Sequence, residues 1–439
     1  MVTKGFESPR LEQRPAVLRI VQAALQAVEP GRAVQNYFRR EKELLIFDKR
    51  PYPLQNLGRI EILAAGKAAP AMSAPLALAL ADLAPGGLLI SKQAFSPPWA
   101  GFSALTGGHP VPTEASLRAG RAALRLARGL KKDDLLICLL SGGGSALMTA
   151  PRRGVRLADL QSLTRALLAC GAPIDEINSL RRRLDRVKGG GLAQAAAPAQ
   201  VVSLILSDVV GNPLEAIASG PTAPDPVSRG EALEIVQKYG LLNQVSAGLL
   251  RALEKSPETP KPGAALFSRV QNILVGSNRL AAQAALRQAQ DEGFRAVFLG
   301  DAWQDEAREL GQTLARRLKM EAARRPVCLV AGGESTVTLR GAGRGGRNQE
   351  VALAAVDELA GLENALLLTL ATDGEDGPTD AAGALVTGET QKRAAELGLT
   401  PGAFLEKNDS YSFFAALGDL LKPGPSGTNV NDLVFLFAF

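Results

Sequence analysis

The sequence contains one histidine, three cysteines and few aromatic residues, and each shortage excludes a class of site. The single histidine, His109, excludes histidine-rich metal sites and leaves a Ser-His-Asp mechanism with one possible base. Cys138, Cys170 and Cys328 lie far apart without a C-x-x-C spacing, so neither a zinc site nor a disulfide framework is indicated. We therefore predict a reducing compartment. His109 itself, followed by proline, is expected to pack in its loop or to contact substrate.

No apolar run is long enough to cross a membrane. The longest, "AAPAMSAPLALALADLA", is interrupted by Pro70 and Pro75, and the first residues lack the apolar core of a signal peptide. The net charge of +6 over 439 residues forms no basic stripe interleaved with aromatic residues. We predict a soluble cytoplasmic protein that binds neither membrane nor nucleic acid. Its mild positive charge would favour an anionic substrate.

Short apolar runs alternate with amphipathic segments along most of the chain, after a helical beginning at about residues 11–28. Runs such as "DLLICLLSGGG" and "VVSLILSDVVG" are continuous and end in glycine or small polar residues. They predict an α/β fold with a mostly parallel sheet, whose ligands bind beyond the carboxyl ends of the strands. The proline-rich segment 251–268 is the best linker candidate, giving domains at 1–257 and 258–439. The "TLRGAGRGG" segment and the final "TNVNDLVFLFAF" are expected to add a hairpin and a strand locally to the second half.

Two strand ends resemble anion sites. Lys67 follows a strand and a glycine and opens a helix, where a lysine is electrostatically unfavourable unless an anion binds. Ser141–Ser145, "SGGGS", can direct backbone N–H groups at a phosphate, although tight turning alone would also explain the glycines. The segment has neither the lysine of a Walker loop nor the G-x-S-x-G pattern of a nucleophile elbow.

Carboxylates follow two other strands. Asp208 could bind Mg²⁺, accept a hydroxyl proton or cap the following turn. Asp373, Glu375, Asp376 and Asp380 crowd one loop without the EF-hand pattern, and such crowding favours a magnesium or nucleotide role over a solvated turn.

The segment "INSLRRRLDRVKGGGLA" predicts a helix, because Ile177, Leu180, Leu184 and Val187 repeat at helical spacing. Its three arginines, at positions 181–183, then lie mostly off the apolar stripe, and are expected on a solvated face.

The stretch "RGAGRGGRNQE" has the G-x-G-x-x-G spacing at Gly341, Gly343 and Gly346. The spacing alone is typical of a dinucleotide-binding turn, whereas the arginines between the glycines suit a phosphate. Both interpretations stay open from this stretch alone.

The motifs taken together resemble the glycerate kinase family with a carboxy-terminal MOFRL domain. The resemblance rests on "SGGGSALM", "INSLRRRLDRVKGGGLA", "LSDVVGNPLEAIASGPT", "GGESTVTLRGAGRGGRNQE", "TDGEDGPTDAAGA" and "NDSYSFFAALGDLLKPGPSGTNVNDL", and runs from about residue 15 to the end. It implies a larger Rossmann-like domain and a smaller α/β MOFRL domain, with the active site in the cleft between them. It also implies ATP- and Mg²⁺-dependent phosphorylation of D-glycerate to 2-phosphoglycerate. The protein itself is expected to be a monomer or a homodimer, and the sequence does not decide between them.

The resemblance places the family's important lysine at Lys67 and its important arginine at Arg347, and we add Asp208 as a third catalytic candidate. Phosphate or nucleotide contacts are expected from Ser141, Gly142, Gly143, Gly144, Ser145, Lys188, Gly343, Gly346 and Asn348. Metal ligands are expected among Asp208, Asp373 and Asp376.

Two alternatives remain. A nicotinamide-dependent hydroxypyruvate reductase would use the glycine spacing, but the acidic residue expected about 20 residues later is poorly placed, at Glu363 or Asp373. A phosphosugar-sensing module would explain the glycine turns and arginines, but hardly so many carboxylates at strand ends.

Overall fold

The computed structural model describes residue 11 and residues 13–439, which form two compact units. The first unit comprises Ala33–Ser207 and Asn212–Val275. The second comprises Gly276–Phe439, Asp208–Gly211 and the described residues up to Arg32. The predicted domain boundary at 257/258 stays a prediction, because units defined by contacts need not be the units that fold independently.

The first unit is built on a six-stranded sheet whose order is β6-β5-β4-β7-β8-β9. Its strands are β4 (Ile60–Ala65), β5 (Gly86–Ser91), β6 (Phe102–Thr106), β7 (Leu135–Leu140), β8 (Gln200–Leu206) and β9 (Val270–Gly276). The pairs from β6 through β8 are all parallel, and every residue of β7 is buried. The continuous apolar runs therefore form strands covered on both faces, and the predicted α/β class is confirmed.

Helices and a small meander complete the first half of the chain. The antiparallel meander is β1 (Phe38–Glu41), β2 (Leu44–Phe47) and β3 (Arg50–Pro53). The helices are Pro30–Tyr37, Ala69–Ala79, Glu114–Arg128, Gly144–Leu147, Leu157–Ala169, Ile174–Leu184, Gly191–Ala196, Arg229–Lys238 and Ala247–Lys255.

The proline-rich segment 251–268, expected to be a linker, is packed inside the first unit. Thr259 and Pro260 are buried. The Thr259 hydroxyl donates to Asp225 Oδ2 at 2.9 Å, and the Pro260 carbonyl accepts from Asp225 N at 2.9 Å. The linker expectation was therefore wrong for these residues, because their polar groups find partners in the fold rather than in solvent.

The second unit contains a mixed sheet of order β10-β11-β15-β12-β13-β14. Its strands are β10 (Arg295–Phe298), β11 (Val327–Gly333), β12 (Ala365–Ala371), β13 (Gly383–Thr387), β14 (Leu420–Leu421) and β15 (Asp432–Ala438), and its helices are Pro15–Ala27, Asn278–Asp291, Ala307–Glu321, Arg347–Leu359, Thr390–Glu396, Pro401–Glu406 and Ser410–Leu417. Only β10 and β11 pair in parallel; the other neighbours are antiparallel.

Two local expectations for this unit were wrong. Residues 337–346 contain no strand, so "TLRGAGRGG" is an irregular loop and not a hairpin. The final strand β15 is no peripheral addition, because it lies between β11 and β12 with all seven residues buried. The loop and the first residue of β15 meet at Arg347 and shape the site there. Among the described residues, no helix is long and apolar enough to cross a membrane.

Candidate active site

Lys67 lies at the carboxyl end of β4, interlocked with the glycine turn that follows β7. Because β4 and β7 are parallel neighbours, their ends meet at one edge of the sheet. Lys67 N donates to the Gly142 carbonyl at 2.9 Å, and Ala68 N donates to Ser141 Oγ at 3.1 Å. A side chain at Gly66 would lie 2.1 Å from Ser141 Oγ, which only glycine avoids. The structure thus brings Lys67 and the "SGGGS" turn together.

The Lys67 side chain is exposed, whereas its neighbours Gly66 and Ala68 are buried. His109 packs over the same turn, since a Cβ at Gly143 (φ +83°) would lie 2.9 Å from His109 Cδ2 and 3.5 Å from Lys67 Cγ. Partial burial, followed by the charges of Lys67 and Lys92, lowers the pKa of His109 below its ordinary value. A neutral imidazole beside an ammonium therefore borders the turn.

Ser219 is a member of this cluster that sequence reasoning missed. Its hydroxyl lies 2.7 Å from the hydroxyl of Ser145. Ala218, Ser219 and Gly220 all have positive φ, at 50°, 60° and 60°. For the two residues that carry a Cβ, this conformation costs roughly 1–2 kcal/mol each. Such strain persists where the surroundings impose it and is concentrated at functional sites. The only sequence signal is the run of small residues in "IASGP".

Lys188 is 4% exposed and is held from three sides. Its ammonium donates to Asp185 Oδ2 at 2.9 Å, to Thr149 Oγ1 at 3.2 Å and to the Met148 carbonyl at 3.3 Å. Burial lowers the pKa of Lys188, and the attraction of Asp185 offsets only part of that shift. The residue lines a cavity of about 330 Å³ that Gly143 and Ser145 also border.

The arginines of the helix Ile174–Leu184 are not on a solvated face, and that expectation was wrong. Arg182 and Arg183 are 4% and 1% exposed. Arg182 Nε donates to the buried Asp225 at 2.8 Å, and Arg183 Nη1 donates to Glu258 at 3.0 Å. Only Arg181 is partly exposed. The apolar stripe does not define the buried face here, because ion partners from distant segments cover the remaining side.

Arg347, in the second unit, is the first residue of its helix and forms ion pairs with two carboxylates. Its Nε and Nη2 lie 2.5 and 3.2 Å from the two oxygens of Asp432, and Nη1 donates to Glu334 at 2.7 Å. Burial lowers the pKa of Arg347, but attraction to Asp432 and Glu334 raises it further, to well above the ordinary value. The guanidinium is therefore permanently charged. Sequence reasoning missed both carboxylates.

Asp432 is the first residue of β15 and is 6% exposed. Burial raises the pKa of Asp432 to about 7, although the adjacent guanidinium of Arg347 pulls it in the opposite direction. The carboxyl group therefore titrates near neutral pH. Its ionisation state determines how strongly it holds Arg347.

Asp376 caps the helix that Arg347 begins. Its carboxylate accepts from the backbone N–H groups of Asn348 and Gln349 at 3.2 and 2.9 Å, and from both of their side-chain amides at 3.3 and 3.0 Å. A Cβ at Gly346 would lie 2.3 Å from the Asp376 carboxyl carbon, so glycine is required for this approach. Burial raises the pKa of Asp376, against the effect of these hydrogen bonds. The carboxylate and Asn348 thus orient the start of the helix.

The other acidic candidates differ in burial and in their partners. Asp373 is half-buried and accepts from Glu375 N at 3.3 Å, whereas Asp380 is exposed and binds Tyr411 and Lys422. Asp208 is half-buried shortly after β8. Within the described ranges, no three histidine, cysteine or acidic side chains are grouped so that they could hold a metal by themselves.

The G-x-G-x-x-G loop faces its own chain. Gly343 N donates to the Lys407 carbonyl at 2.8 Å, and a Cβ at Gly341 or Gly343 would lie 2.5 Å from that same oxygen. The preceding strand β11 ends at Gly333, so these glycines do not directly follow a strand as a dinucleotide fingerprint requires. Close packing against residues 407–409 explains the pattern without a nicotinamide cofactor.

Comparison with known proteins finds relatives that are similar over nearly the whole chain. The model of a domain of unknown function, DUF4147, matches residues 16–254, and the MOFRL family model matches residues 327–432. A D-glycerate 2-kinase from Thermotoga maritima is 40% identical over 423 residues, covering 95% of this chain and 96% of the relative. A putative hydroxypyruvate reductase from Agrobacterium vitis is 38% identical, covering 96% and 93%. The crystal structure of a glycerate kinase from Thermotoga maritima matches with a TM-score of 0.88 at 38% identity, covering 98% of this chain and 100% of that one.

Proposed function

Because the chain belongs to the glycerate kinase family with a MOFRL domain, we propose that it is a glycerate 2-kinase. It transfers the γ-phosphoryl group of ATP to the 2-hydroxyl of D-glycerate. The observation that carries this proposal is the similarity to a D-glycerate 2-kinase over 95% of the chain. Phosphoryl transfer needs positioned phosphates and neutralised charge rather than covalent help from the protein. The two clusters of side chains supply those features.

Lys67 supplies charge at the first cluster. Its side chain is exposed beside the Gly142–Gly144 turn, to whose Gly142 carbonyl the Lys67 backbone donates. A phosphate that accepts hydrogen bonds from backbone N–H groups of the turn would also contact the Lys67 ammonium. That positive charge would stabilise the negative charge that develops on the phosphoryl group during transfer.

Arg347 supplies charge at the second cluster. A guanidinium has five N–H donors, and three of them are used on Asp432 and Glu334. The two remaining donors are available for oxygens of the transferred phosphoryl group. Because both carboxylates fix the orientation of the guanidinium, it needs little reorganisation when the phosphate arrives. Asn348, Gly343 and Gly346 support this arrangement through the loop and the helix start.

Asp208 is proposed to orient or deprotonate the 2-hydroxyl of glycerate. Mg²⁺, which would neutralise phosphate charge, usually takes one or two carboxylates plus phosphate oxygens, so the half-buried Asp373 would hold it. Asp208 would be its second ligand only if it does not act as the base. We assign Asp376 a positioning role instead, since both its oxygens already accept hydrogen bonds from the helix of Arg347.

The test is to incubate the protein with D-glycerate, ATP and Mg²⁺ and to follow ADP, with reactions lacking glycerate as the control. In the ³¹P spectrum, phosphate on the 2-position couples to one proton and gives a doublet, whereas the 3-position gives a triplet. Glycerate-dependent ADP and the doublet are the expected results. A parallel reaction offers hydroxypyruvate and NADH, because one relative carries the reductase name. Oxidation of NADH without ADP formation would replace the kinase by the reductase, and inactivity in both would favour a sensor.

A further inference from the structure

The cavity beside the glycine turn has one apolar wall that no proposed catalytic residue uses. The helices Leu157–Ala169 and Ile174–Leu184 form this wall, with Leu160, Leu163 and Leu180 facing the space. The cavity encloses about 330 Å³, which is within the range of ligand pockets. At one side of the cavity, the Gln161 side-chain amide donates to the Pro112 carbonyl at 2.9 Å, which holds the helix Leu157–Ala169 against the loop of Pro112.

The polar part of the cavity carries excess positive charge. Arg181 and Lys188 line it together with one carboxylate, Asp185, which is paired with Lys188. The hydrogen bond of Arg181 is a long one, 3.4 Å to Asn178 Oδ1, and no carboxylate of residues 13–439 lies within ion-pair distance of it. Burial lowers the pKa of Arg181 with no opposing carboxylate. A partly buried cation without a counter-ion indicates an anionic ligand.

We propose that this cavity binds the base and ribose of the nucleotide substrate, with Arg181 paired to its phosphate chain. The inference rests on the proposed kinase function and specifies where the nucleotide lies in the first unit. Gly143 and Ser145, expected to bind phosphate, also border the cavity, so a nucleotide can fill both places at once. Glycerate does not suit the leucine wall, because every one of its carbons bears oxygen. A planar base has two apolar faces to bury there.

The experiment compares three probes on the full chain by isothermal calorimetry: ATP, adenosine and inorganic tripolyphosphate. Thr164 lines the cavity and is only partly buried, so Thr164→Trp fills the space with little disturbance of the core. Ala158→Trp is the matched control, because Ala158 is exposed on the same helix and does not line the cavity. Arg181→Gln tests the charge separately. Thermal unfolding verifies that each variant is folded, and Leu160→Phe replaces Thr164→Trp if that variant is not.

Thr164→Trp should weaken ATP and adenosine binding by about tenfold or more while tripolyphosphate binding stays unchanged. Arg181→Gln should weaken ATP and tripolyphosphate but not adenosine, and Ala158→Trp should change none of them. Unchanged ATP affinity in the filled variant would overturn the proposal, as would equal loss of all three probes or equal affinity of the unmodified protein for ATP and tripolyphosphate. Failure of the kinase function is distinct, because it would show as no glycerate-dependent ADP in the unmodified protein.

Discussion

Replacing Asp432 with asparagine tests whether the carboxyl group that holds Arg347 sets the pH dependence of turnover. Asp432 contacts Nε and Nη2 of Arg347 from a buried position, and burial raises its pKa to about 7. Above that pH the carboxylate makes charge-assisted hydrogen bonds to the guanidinium. Below it the protonated group keeps only its neutral carbonyl oxygen as acceptor, and the ion pair with the guanidinium is lost. The value of kcat/KM should therefore rise with pH through about 7.

The size of the effect follows from those bonds. A hydrogen bond to a charged partner contributes about 1.5–3 kcal/mol, and this range sets the scale of the loss when Asp432 is protonated. A factor of ten in rate corresponds to about 1.4 kcal/mol, so loss of correct positioning should lower kcat/KM by roughly 10- to 100-fold. The kcat/KM of Asp432→Asn should equal that of the unmodified protein at low pH. Between pH 6 and 8 it should show no rise caused by ionisation of residue 432.

The assay is glycerate-dependent ADP release at subsaturating ATP across that pH range. Asp419→Asn is the control, because Asp419 is a buried carboxylate paired with Arg393 in the same unit. It should cost stability without altering the profile. If a substrate group ionises in this pH range, its effect on the rate persists in Asp432→Asn. Comparing the pH profiles of the variant and the unmodified protein therefore separates the ionisation of the substrate from that of Asp432. Retention of both the rate and the ionisation near pH 7 in Asp432→Asn would refute the reasoning.

The same carboxyl group affects stability with a definite sign. Its pKa is raised in the folded chain, so between about 4 and 7 the folded state holds a proton that the unfolded state has released. Asp432 therefore makes its whole stabilising contribution to the free energy of unfolding below about pH 4. That contribution decreases with rising pH and is lost by about pH 7. Urea unfolding of Asp432→Asn should lack that decline.

The other predictions concern charge, base and strain. Lys67→Ala should lower kcat by roughly 10²–10³-fold with an unchanged unfolding midpoint, because its side chain is exposed; near-normal turnover would contradict its role. Asp208→Asn should lower the rate at saturating glycerate, and an unchanged rate would exclude it as base. Arg182→Met should lower the free energy of unfolding by about 3–5 kcal/mol in urea, because Asp225 would stay buried without its cation; a loss near zero would contradict this. Ala218→Gly should raise it by roughly 0.5–1 kcal/mol, since glycine adopts φ +50° without strain, and destabilisation would count against strain there.

The strands could be predicted from the sequence, and so could the edge of the sheet at which Lys67 and the glycine turn lie. Runs such as "LLICLL" are apolar throughout because β7 is covered on both faces. Parallel strands end at one edge, which predicts that Lys67 after β4 and Ser141 after β7 lie on that edge. That β4 and β7 are neighbours is known only from the structure. Both predictions depend on local pattern plus a rule of sheet geometry. The family was also predicted correctly, because the motifs span the whole chain.

The buried arginines could not be predicted, since their partners lie far along the chain. Arg182 pairs with Asp225, 43 residues away, and Arg183 with Glu258, 75 residues away. Helical periodicity shows which face of a helix is apolar. It does not show that a second, charged face is enclosed by ion partners. Only long-range packing decides between a solvated and a paired arginine.

The position of β15 was available from the sequence but was misinterpreted. "LVFLFA" is apolar at every position, which is typical of a strand buried on both faces rather than one added at an edge. The central position brings Asp432 against Arg347 from a segment 85 residues away, and the role proposed for Arg347 depends on this contact.

The glycine spacing of the loop before Arg347 shows why a motif needs its structural context. The glycines at positions 341, 343 and 346 indicate that another group lies close to the backbone. The spacing alone does not identify that group. In a dinucleotide fold the approaching group is a pyrophosphate; here it is the chain itself, at Lys407, Asp409 and Asp376. The Asp376 carboxylate caps the helix whose first residue is Arg347, so the last of the three glycines serves the placement of that arginine. The glycines therefore allow the packing that orients the guanidinium of Arg347, the residue that we propose to act in phosphoryl transfer.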